Sequence, residues 1–172
     1  AFISKKPDGF DFDMLASAIK YCHDRYIKAY IDLPILPTDR DLPVIAAAAE
    51  KLADKGADAF FVSDIGTAEV IKSITVDMPI FGDSEIAIHN LEGALEMQRL
   101  GFKRVTAAKE LNKYQIAYIC KYSEIEINIC VLKEQCMSCD GQCRADILSS
   151  HGCADFCRKA FRFAGTGRQR DE

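Results

Sequence analysis

Residues 59–82 read AFFVSDIGTAEVIKSITVDMPIFG, and this stretch decides the fold class. Its first five residues, Ala59–Ser63, are almost all apolar, as in a parallel strand that is buried on both faces. A helix is expected after Gly66, and Pro79–Gly82 is expected to form the next strand. A strand, a helix and a second strand in this order predict one parallel β–α–β unit.

The same alternation of strand and helix continues along the chain on both sides of this unit. Further strands are predicted at Ala29–Leu33, Arg104–Ala107 and Glu124–Cys130, so that strands begin near residues 29, 59, 79, 104 and 125. Apolar stripes with helical spacing lie between them, and one more precedes the first strand. This alternation predicts a parallel sheet with crossover helices.

Polar residues mark the starts of the predicted helices. Asp11 or Asp13 is available as the N-cap of the first helix, and Asn90 is expected to cap a later one. Asn112 is expected to cap the last helix, with Gln115 placed as in a capping box.

The turns that follow the strands carry no phosphate-binding glycine motif, since SDIGTAE and GDSEIAIHN match neither G-x-G-x-x-G nor a P-loop. A TIM-type barrel is therefore favoured over a doubly wound nucleotide-binding fold. A complete barrel has eight strands in about 250 residues, whereas this sequence has 172 residues. We predict an α/β fold in which residues 1–131 form an incomplete TIM-type (β/α) barrel with about five parallel strands. Residues 132–172 are expected to form a cysteine-rich, metal-binding segment with a basic tail, packed on the same domain.

Composition and charge limit the function classes. The chain is 49% hydrophobic and 28% charged, with a net charge of −4, so its body offers no general attraction for nucleic acid or an anionic membrane. No apolar stretch approaches the roughly 20 residues that cross a bilayer, and AFISKKPDGF at the start lacks the features of a signal peptide. We therefore expect a cytoplasmic protein with reduced thiols. A basic tail could be a solvated terminus or could bind RNA weakly in a salt-sensitive way; it contains Arg158, Lys159, Arg162, Arg168 and Arg170.

Five of the eight cysteines lie close together, within the stretch CMSCDGQCRADILSSHGCADFC. They are Cys136, Cys139, Cys143, Cys153 and Cys157. Thiols that converge must bind a metal, pair as disulfides or remain exposed to oxidation, and thiolates suit zinc or iron–sulfur clusters. A metal centre is the leading interpretation. The other three cysteines, Cys22, Cys120 and Cys130, lie on apolar faces of predicted elements and are expected in the core.

Polar residues follow several of the predicted strands. In TIM-type barrels the chemistry lies at the carboxyl ends of the strands. The candidates at these positions are Asp32, Asp64, Glu85, His89, Lys109, Glu110 and Asn128. Structural alternatives exist: Asp64 as a helix cap, His89 as a helix-start residue, and Lys109 with Glu110 as a local ion pair.

The region between residues 56 and 112 is similar to a known family. GADAFFVSDIGTAEVIKS, and then GDSEIAIHNLEGALEMQRLGFKRVTAAKELN, resemble the collagenase-like peptidase family, peptidase U32. Its members carry a similar strand–aspartate–leucine–glycine turn, a helix that starts with HN, and GFKRV followed by A-R-E-L. The cysteine stretch fits the family signature C-x-x-Y-S-G-x-C at residues 136–143 and the later C-x-x-x-C-R at residues 153–158.

The resemblance implies a TIM-type barrel with a four-iron four-sulfur cluster, and it implies Cys136, Cys143, Cys153 and Cys157 as the matched ligands. Several family members support oxygen-independent hydroxylation of tRNA or ribosomal RNA bases or of a quinone precursor, whereas others are called collagenases or proteases. We therefore expect an iron–sulfur protein of this hydroxylation chemistry, with RNA, a small aromatic substrate or a protein as its partner.

The chain departs from the family pattern at several positions. Cys139 stands where tyrosine is usual, Glu85 where glutamine is usual, and Pro34 where asparagine is usual. We therefore expect a truncated or divergent member.

Zinc remains the alternative cofactor. The extra thiol of Cys139 pairs in sequence with Cys136, Cys153 pairs with Cys157, and two close pairs of this kind are typical of a tetrahedral zinc site. His151 is a further donor. With zinc, the chain would be a non-catalytic binding module. A collagenase-like protease is the other alternative, although neither H-E-x-x-H nor G-x-S-x-G is present.

Overall fold

The computed structural model describes residues 11–33, 37–75 and 77–131. In these residues helices and strands alternate strictly. The helices are α1 (Phe12–His23), α2 (Leu42–Asp54), α3 (Ile65–Ile74), α4 (Leu91–Arg99) and α5 (Lys113–Tyr122). The strands are β1 (Tyr30–Asp32), β2 (Ala59–Val62), β3 (Ile80–Gly82), β4 (Arg104–Thr106) and β5 (Glu126–Asn128), and a 3-10 helix, Ser84–Ile86, follows β3.

Within the described residues, the strands form one parallel sheet in the order β1-β2-β3-β4-β5. Each strand pairs with the next one in sequence, and a helix makes each connection. Because parallel crossovers are right-handed, a sheet with this sequential order receives all its crossover helices on the same face. The prediction of a parallel sheet is confirmed, and the sequential order is that of a barrel wall rather than a doubly wound sheet.

The hydrophobic core lies between the sheet and these helices. The strands contribute Ile31, Phe60, Val62, Ile80 and Val105, all at most 1% exposed. The helices contribute apolar residues from each of their inward faces: Leu15, Ile19, Ile45, Ala49, Leu52, Ala68, Ile71, Ala94, Met97 and Ile119. Burial of this apolar area, at roughly 25 cal/mol per Å², is the main force that holds the helices on the sheet.

The opposite face of the sheet corresponds to the interior of a barrel. Successive side chains of a strand point to opposite faces, so the residues that alternate with the core residues point here. The rings of Tyr30, Phe61 and Phe81 pack edge to face, with centroids 5.1 Å apart for Tyr30–Phe81 and 5.2 Å for Phe61–Phe81. The guanidinium of Arg104 lies 4.4 Å from the centroid of Phe81 and pairs with the carboxylate of Glu126. An aromatic and ionic layer therefore lines this inner face.

The predicted helix caps are confirmed. Asp11, rather than Asp13, caps α1 by accepting a hydrogen bond from Met14 N–H at 2.8 Å. Asn90 caps α4, and Asn112 caps α5 in a capping box whose second bond runs from the Asn112 N–H to Gln115 Oε1 at 2.9 Å. These caps satisfy N–H groups that have no partner within their own helices.

Some predicted boundaries and burial patterns were wrong. The last strand was predicted to span Glu124–Cys130, but β5 contains only Glu126–Asn128. Cys130 lies beyond the last residue of this strand that pairs with β4, and it is exposed. Cys120 is also exposed, because it lies one residue after the buried Ile119, about 100° around helix α5. The expectation of core positions for these two cysteines is therefore corrected, whereas Cys22 is half-buried.

No helix in the described parts of the chain is long and apolar enough to cross a membrane. The predicted cysteine-rich segment, residues 132–172, lies outside the described residues.

Candidate functional site

The carboxyl ends of the strands lie along one edge of the sheet, because the strands are parallel. The polar residues predicted from the strand ends therefore share this edge, which we call the mouth. It is defined by the last residue of each of the strands β1 to β5, by the residues that directly follow them, and by the loops 83–90 and 107–110.

His89 is placed in the mouth by the loop that follows β3. Ala87 has a left-handed backbone (φ 62°), which turns the chain, and Ile88 then forms a parallel bridge with Ala107 just beyond β4. The bridge holds the loop against the end of β4, and Ala108 N–H donates to Ile88 O at 3.1 Å. His89 follows this anchored residue directly, so the register of the sheet fixes the position of its backbone.

The two ring nitrogens of His89 have different partners. Nδ1 lies 2.8 Å from Ala87 O, and a carbonyl oxygen can only accept, so Nδ1 carries a proton and donates it to this bond. Nε2 lies 3.5 Å from Glu110 Oε2. Nε2 is therefore the nitrogen that can gain or lose a proton, and it does so beside a carboxylate that can stabilise the charged ring.

Lys109 completes a three-residue cluster with His89 and Glu110. Its Nζ lies 4.0 Å from Glu110 Oε1, on the other oxygen from the one that faces the imidazole. The sequence alternative of a local ion pair between Lys109 and Glu110 is confirmed, but this carboxylate also reaches a histidine from another loop. The cluster thus combines a proton carrier, a carboxylate and a cation.

Asn128 lies at the end of β5 and contacts the neighbouring strand. Its side-chain Nδ2 donates to Thr106 Oγ1 at 3.3 Å, and its backbone carbonyl oxygen accepts from Ala107 N–H at 2.9 Å. Thr106 is 4% exposed and lies next to the loop that carries the His89 cluster. Asn128 therefore belongs to the polar lining of the mouth.

The other predicted site residues lie at the same edge in different settings. Asp64 has a structural role: its Oδ2 accepts from Thr67 N–H at 2.7 Å and from Thr67 Oγ1 at 3.1 Å, so it caps α3 as the helix-cap alternative predicted. Asp32 ends β1, where its Oδ1 is buried. Glu85 is half-buried in the 3-10 helix after β3.

Three polar residues of the mouth were missed in the sequence. Asp83 extends the β3 ladder, since its N–H donates to Val62 O at 2.9 Å, and Thr106 ends β4. Ser63 follows β2, and its buried Oγ has no hydrogen-bond partner within the described part of the chain. The alternation of side chains along a strand would have identified them, because each comes two residues after a residue of the inner face. The pairs are Phe61 and Ser63, Phe81 and Asp83, and Arg104 and Thr106.

The layer beneath the mouth carries a stable positive charge. Burial alone would lower the pKa of Arg104, but its hydrogen bonds and charge pairing with Glu126, at 2.7 Å from Nε, raise the pKa above its ordinary value. The guanidinium therefore stays protonated on the inner face.

The predicted metal ligands lie outside the described residues. These are Cys136, Cys143, Cys153 and Cys157, with Cys139 as the alternative ligand. In residues 11–33, 37–75 and 77–131 no group of three or more His, Cys, Asp or Glu residues is arranged to hold a metal ion. β5 runs toward the mouth, as the other strands do, and the described part of the chain continues for three residues beyond it, to Val131.

Known proteins resemble this chain in sequence. A tRNA hydroxylation protein P from Helicobacter pylori (strain ATCC 700392 / 26695) is 25% identical over 161 residues, which cover 90% of this chain and 38% of that protein. A 23S rRNA 5-hydroxycytidine C2501 synthase from Escherichia coli K12 is 25% identical over 132 residues, which cover 75% of this chain and 19% of that protein. This chain thus spans well under half the length of either relative.

The fold and the family model agree with these relationships. The solved structure of the U32 peptidase Mk0906 aligns with a TM-score of 0.61 and 18% identity, covering 72% of this chain and 53% of that one. This likeness shows an α/β fold of the TIM-barrel-like kind, as the sequence predicted. The model for Peptidase family U32 matches residues 5–172. Since that match covers nearly the whole sequence, the chain belongs to peptidase family U32.

Proposed function

We propose that this chain is an iron–sulfur protein that supports oxygen-independent hydroxylation of RNA bases. One observation carries the proposal: the cluster of His89, Lys109 and Glu110 lies at the same edge of the sheet from which the chain continues into the four matched cysteines. The names of two relatives, a tRNA hydroxylation protein and an rRNA 5-hydroxycytidine synthase, support RNA as the substrate class.

The length of the connecting chain supports a metal site near the mouth. Five peptide units separate Val131 from Cys136. A fully extended chain spans at most about 3.6 Å per residue, so the Cα of Cys136 is no more than about 18 Å from that of Val131. The first matched thiolate is therefore within reach of the carboxyl ends of the strands.

The donor set fits the proposed cofactor. Cys136, Cys143, Cys153 and Cys157 offer four thiolates, the number that a four-iron four-sulfur cluster takes, and their uneven spacing is compatible with loops that wrap a cube. A bound cluster would supply one-electron redox chemistry. Cys139 would then be a spare thiol.

The described residues of the chain would bind the base and move protons. His89 Nε2 is suited to accept or return a proton beside Glu110 Oε2, because the Nδ1 bond fixes its orientation. Thr106 and Asn128 offer a hydroxyl and an amide to the polar edge of a base. The aromatic layer of the inner face lies directly beneath these groups.

Metal analysis tests the cofactor. Protein purified without oxygen is expected to contain iron and sulfide in a ratio near one, with broad visible absorption. Cys143→Ser is expected to lose iron, whereas Cys139→Ser, the matched control, is expected to retain it. Colourless protein with stoichiometric zinc, lost together with stability on chelation, would replace this proposal with a zinc-stabilised binding module.

Analysis of RNA nucleosides tests the activity. Mass spectrometry of digested RNA from cells with and without the gene is expected to reveal a nucleoside that is heavier by one oxygen atom only when the gene is present. His89→Gln should abolish this product while leaving the iron content unchanged. A product in the quinone fraction with unchanged RNA would move the substrate to a quinone precursor, and cleavage of gelatin by the purified protein would favour the protease.

A further inference from the structure

Helix α5 presents three tyrosines to solvent on one side. Tyr114, Tyr118 and Tyr122 are 74%, 54% and 51% exposed, and they recur every four residues, so they lie one above another along the helix. We call these three residues the tyrosine strip. The core-facing side of α5 is elsewhere, at Ile119 and Ile116. The strip is therefore not needed for packing in the described structure.

Two rings of the strip pack against each other, and lysines lie over two of the three rings. The rings of Tyr118 and Tyr122 pack with centroids 4.7 Å apart. Lys113 Nζ lies 5.0 Å from the centroid of Tyr114, and Lys121 Nζ lies 5.2 Å from that of Tyr122. Three aromatic rings and two cations thus lie along a helix that contains no acidic residue, in a chain whose net charge is −4.

We propose that the tyrosine strip, with Lys113 and Lys121, binds unpaired nucleotides of RNA, with bases stacked on the rings and phosphates beside the ammonium groups. Proteins bind single strands by this combination of aromatic platforms and positive charge. The local charge is complementary to a phosphate backbone and opposite to that of the chain as a whole. An oligonucleotide is therefore a better match than an apolar partner segment.

The position and the length of the strip suit a strand that leads to the mouth. A crossover helix starts near the carboxyl end of the preceding strand, so Tyr114, in the first turn of α5, follows Glu110 of the mouth by four residues. From Tyr114 to Tyr122 the helix rises about 12 Å. At about 3.4 Å per nucleotide of a stacked strand, this is the length of three to four nucleotides.

This inference rests on the proposed function, and binding assays separate the two. The probe is a fluorescein-labelled, single-stranded oligouridine, titrated with the full chain purified without oxygen and followed by fluorescence anisotropy. Tyr118→Ala is expected to weaken binding by about five- to 150-fold, the range found for removal of one stacking platform. Tyr118→Phe should restore most of the affinity, because the ring face remains.

Tyr21→Ala is the matched control. Tyr21 is also an exposed tyrosine on a helix with a cation over its ring, Arg25 at 3.6 Å, but it lies on α1 and packs against no other ring among the described residues. Its replacement should leave the affinity unchanged. Replacing both Lys113 and Lys121 with Gln should lower the slope of log affinity against log salt by about 1.4, since each phosphate contact on a single strand contributes about 0.7.

The outcomes are distinct. If Tyr118→Ala binds RNA with the same affinity as the wild type, the RNA-binding role of the tyrosine strip is overturned, while RNA remains the proposed substrate. Failure of the wild type to bind either the oligouridine or tRNA would overturn both the strip and the RNA function. If sedimentation shows that the wild type self-associates and Tyr118→Ala does not, the strip covers a second copy of the chain and the RNA proposal for it is wrong.

Discussion

Replacing Asp58 should loosen the sheet at its amino-terminal edge. Asp58 Oδ2 accepts from Ala29 N–H at 2.7 Å and from His23 Nε2 at 2.9 Å, and Asp58 N–H donates back to Ala29 O at 2.9 Å. His23 ends α1, Ala29 precedes β1, and Asp58 precedes β2. One carboxylate therefore connects the end of α1 and the starts of β1 and β2, and its two most distant residues, His23 and Asp58, are 35 positions apart in sequence.

The size of the effect follows from these two bonds. A hydrogen bond to a charged group is worth about 1.5–3 kcal/mol, but an exposed ion pair contributes only about 0–1 kcal/mol. The Asp58 side chain is 29% exposed and that of His23 is 40% exposed, so the His23 bond is counted at the lower value. Asp58→Ala, which also leaves the Ala29 N–H without its acceptor, should cost about 2–3 kcal/mol, or roughly 5–10 °C in Tm. Asp58→Asn keeps an oxygen for Ala29 and should cost about 1 kcal/mol.

Urea unfolding followed by circular dichroism measures these losses. Asp54→Ala is the matched control, because Asp54 is an exposed aspartate at the end of α2 that lines a surface groove together with Asp58. It should change the free energy of unfolding by no more than about 0.5 kcal/mol. If Asp58→Ala is as mild as Asp54→Ala, the connecting role of this carboxylate is refuted.

The contribution of Asp58 should also depend on pH. Burial alone would raise its pKa, but the hydrogen bonds from His23 and the Ala29 N–H outweigh burial and lower the pKa below 3.8. A lowered pKa in the folded state means that the contribution is present above the unfolded value and is lost as pH falls through the folded one. The difference in unfolding free energy between wild type and Asp58→Asn should therefore be full at pH 7 and shrink below about pH 4. A constant difference would contradict this.

Three further substitutions test a helix cap, a packing contact and an ion pair of the fold by thermal or urea unfolding. Asn112→Ala removes the cap of α5 and should cost about 1 kcal/mol in unfolding free energy. Gly82→Ala would place a Cβ 3.0 Å from Ile86 Cδ1 and 3.1 Å from Val105 Cγ1, so it should cost roughly 1–3 kcal/mol through overpacking. Arg104→Ala removes a guanidinium that pairs with β5 and covers an aromatic ring, and it should cost about 1–2 kcal/mol.

Each of these substitutions has a control in the same chain. Asn112→Asp retains a cap acceptor and should be nearly neutral. Gly93→Ala places its Cβ at ordinary distances inside α4 and should stabilise the protein by up to about 1 kcal/mol, the opposite sign from Gly82→Ala. Arg104→Lys keeps the charge but not the fork of donors, and should lose less than the alanine variant. Equal effects of the paired glycine variants would contradict the packing argument.

Features that depend only on nearby residues in sequence could be predicted, whereas the length of β5 could not. The caps at Asn90 and Asn112 follow from residues within four positions, and both were correct. The alternation of isoleucines suggested a strand that runs to Cys130. The paired part of β5 ends at Asn128 because its partner β4 ends at Thr106, so Ile129 lies beyond the pairing with β4 and is exposed. The length of one strand depends on its neighbour, which local sequence does not contain.

The candidate site shows the same limit. Every predicted residue of the mouth ends a strand or follows one, but the sequence could not distinguish Asp64, which caps a helix, from His89, which lies beside a carboxylate. His89 and Glu110 are 21 residues apart and approach because Ile88 bridges to Ala107. The ion pair of His23 with Asp58 was missed for the same reason, since only the pairing of β1 with β2 brings its elements together.

The two edges of the sheet have different roles, and this division follows from its parallel order. At the amino-terminal edge Asp58 is committed to fixed partners, so its replacement should change stability. At the carboxyl edge His89 makes one short local hydrogen bond, from Nδ1 to Ala87 O, and its Nε2 faces the Glu110 carboxylate across 3.5 Å, longer than a good hydrogen bond, so its replacement removes less stabilisation than that of Asp58. Variants at Asp58 should therefore lower the unfolding free energy and leave the activity intact. His89→Gln should abolish the activity and leave the unfolding free energy nearly unchanged. Because the stabilising residues and the functional residues lie at opposite edges of the sheet, the loops of the site can change without loss of the sheet and helices that position them.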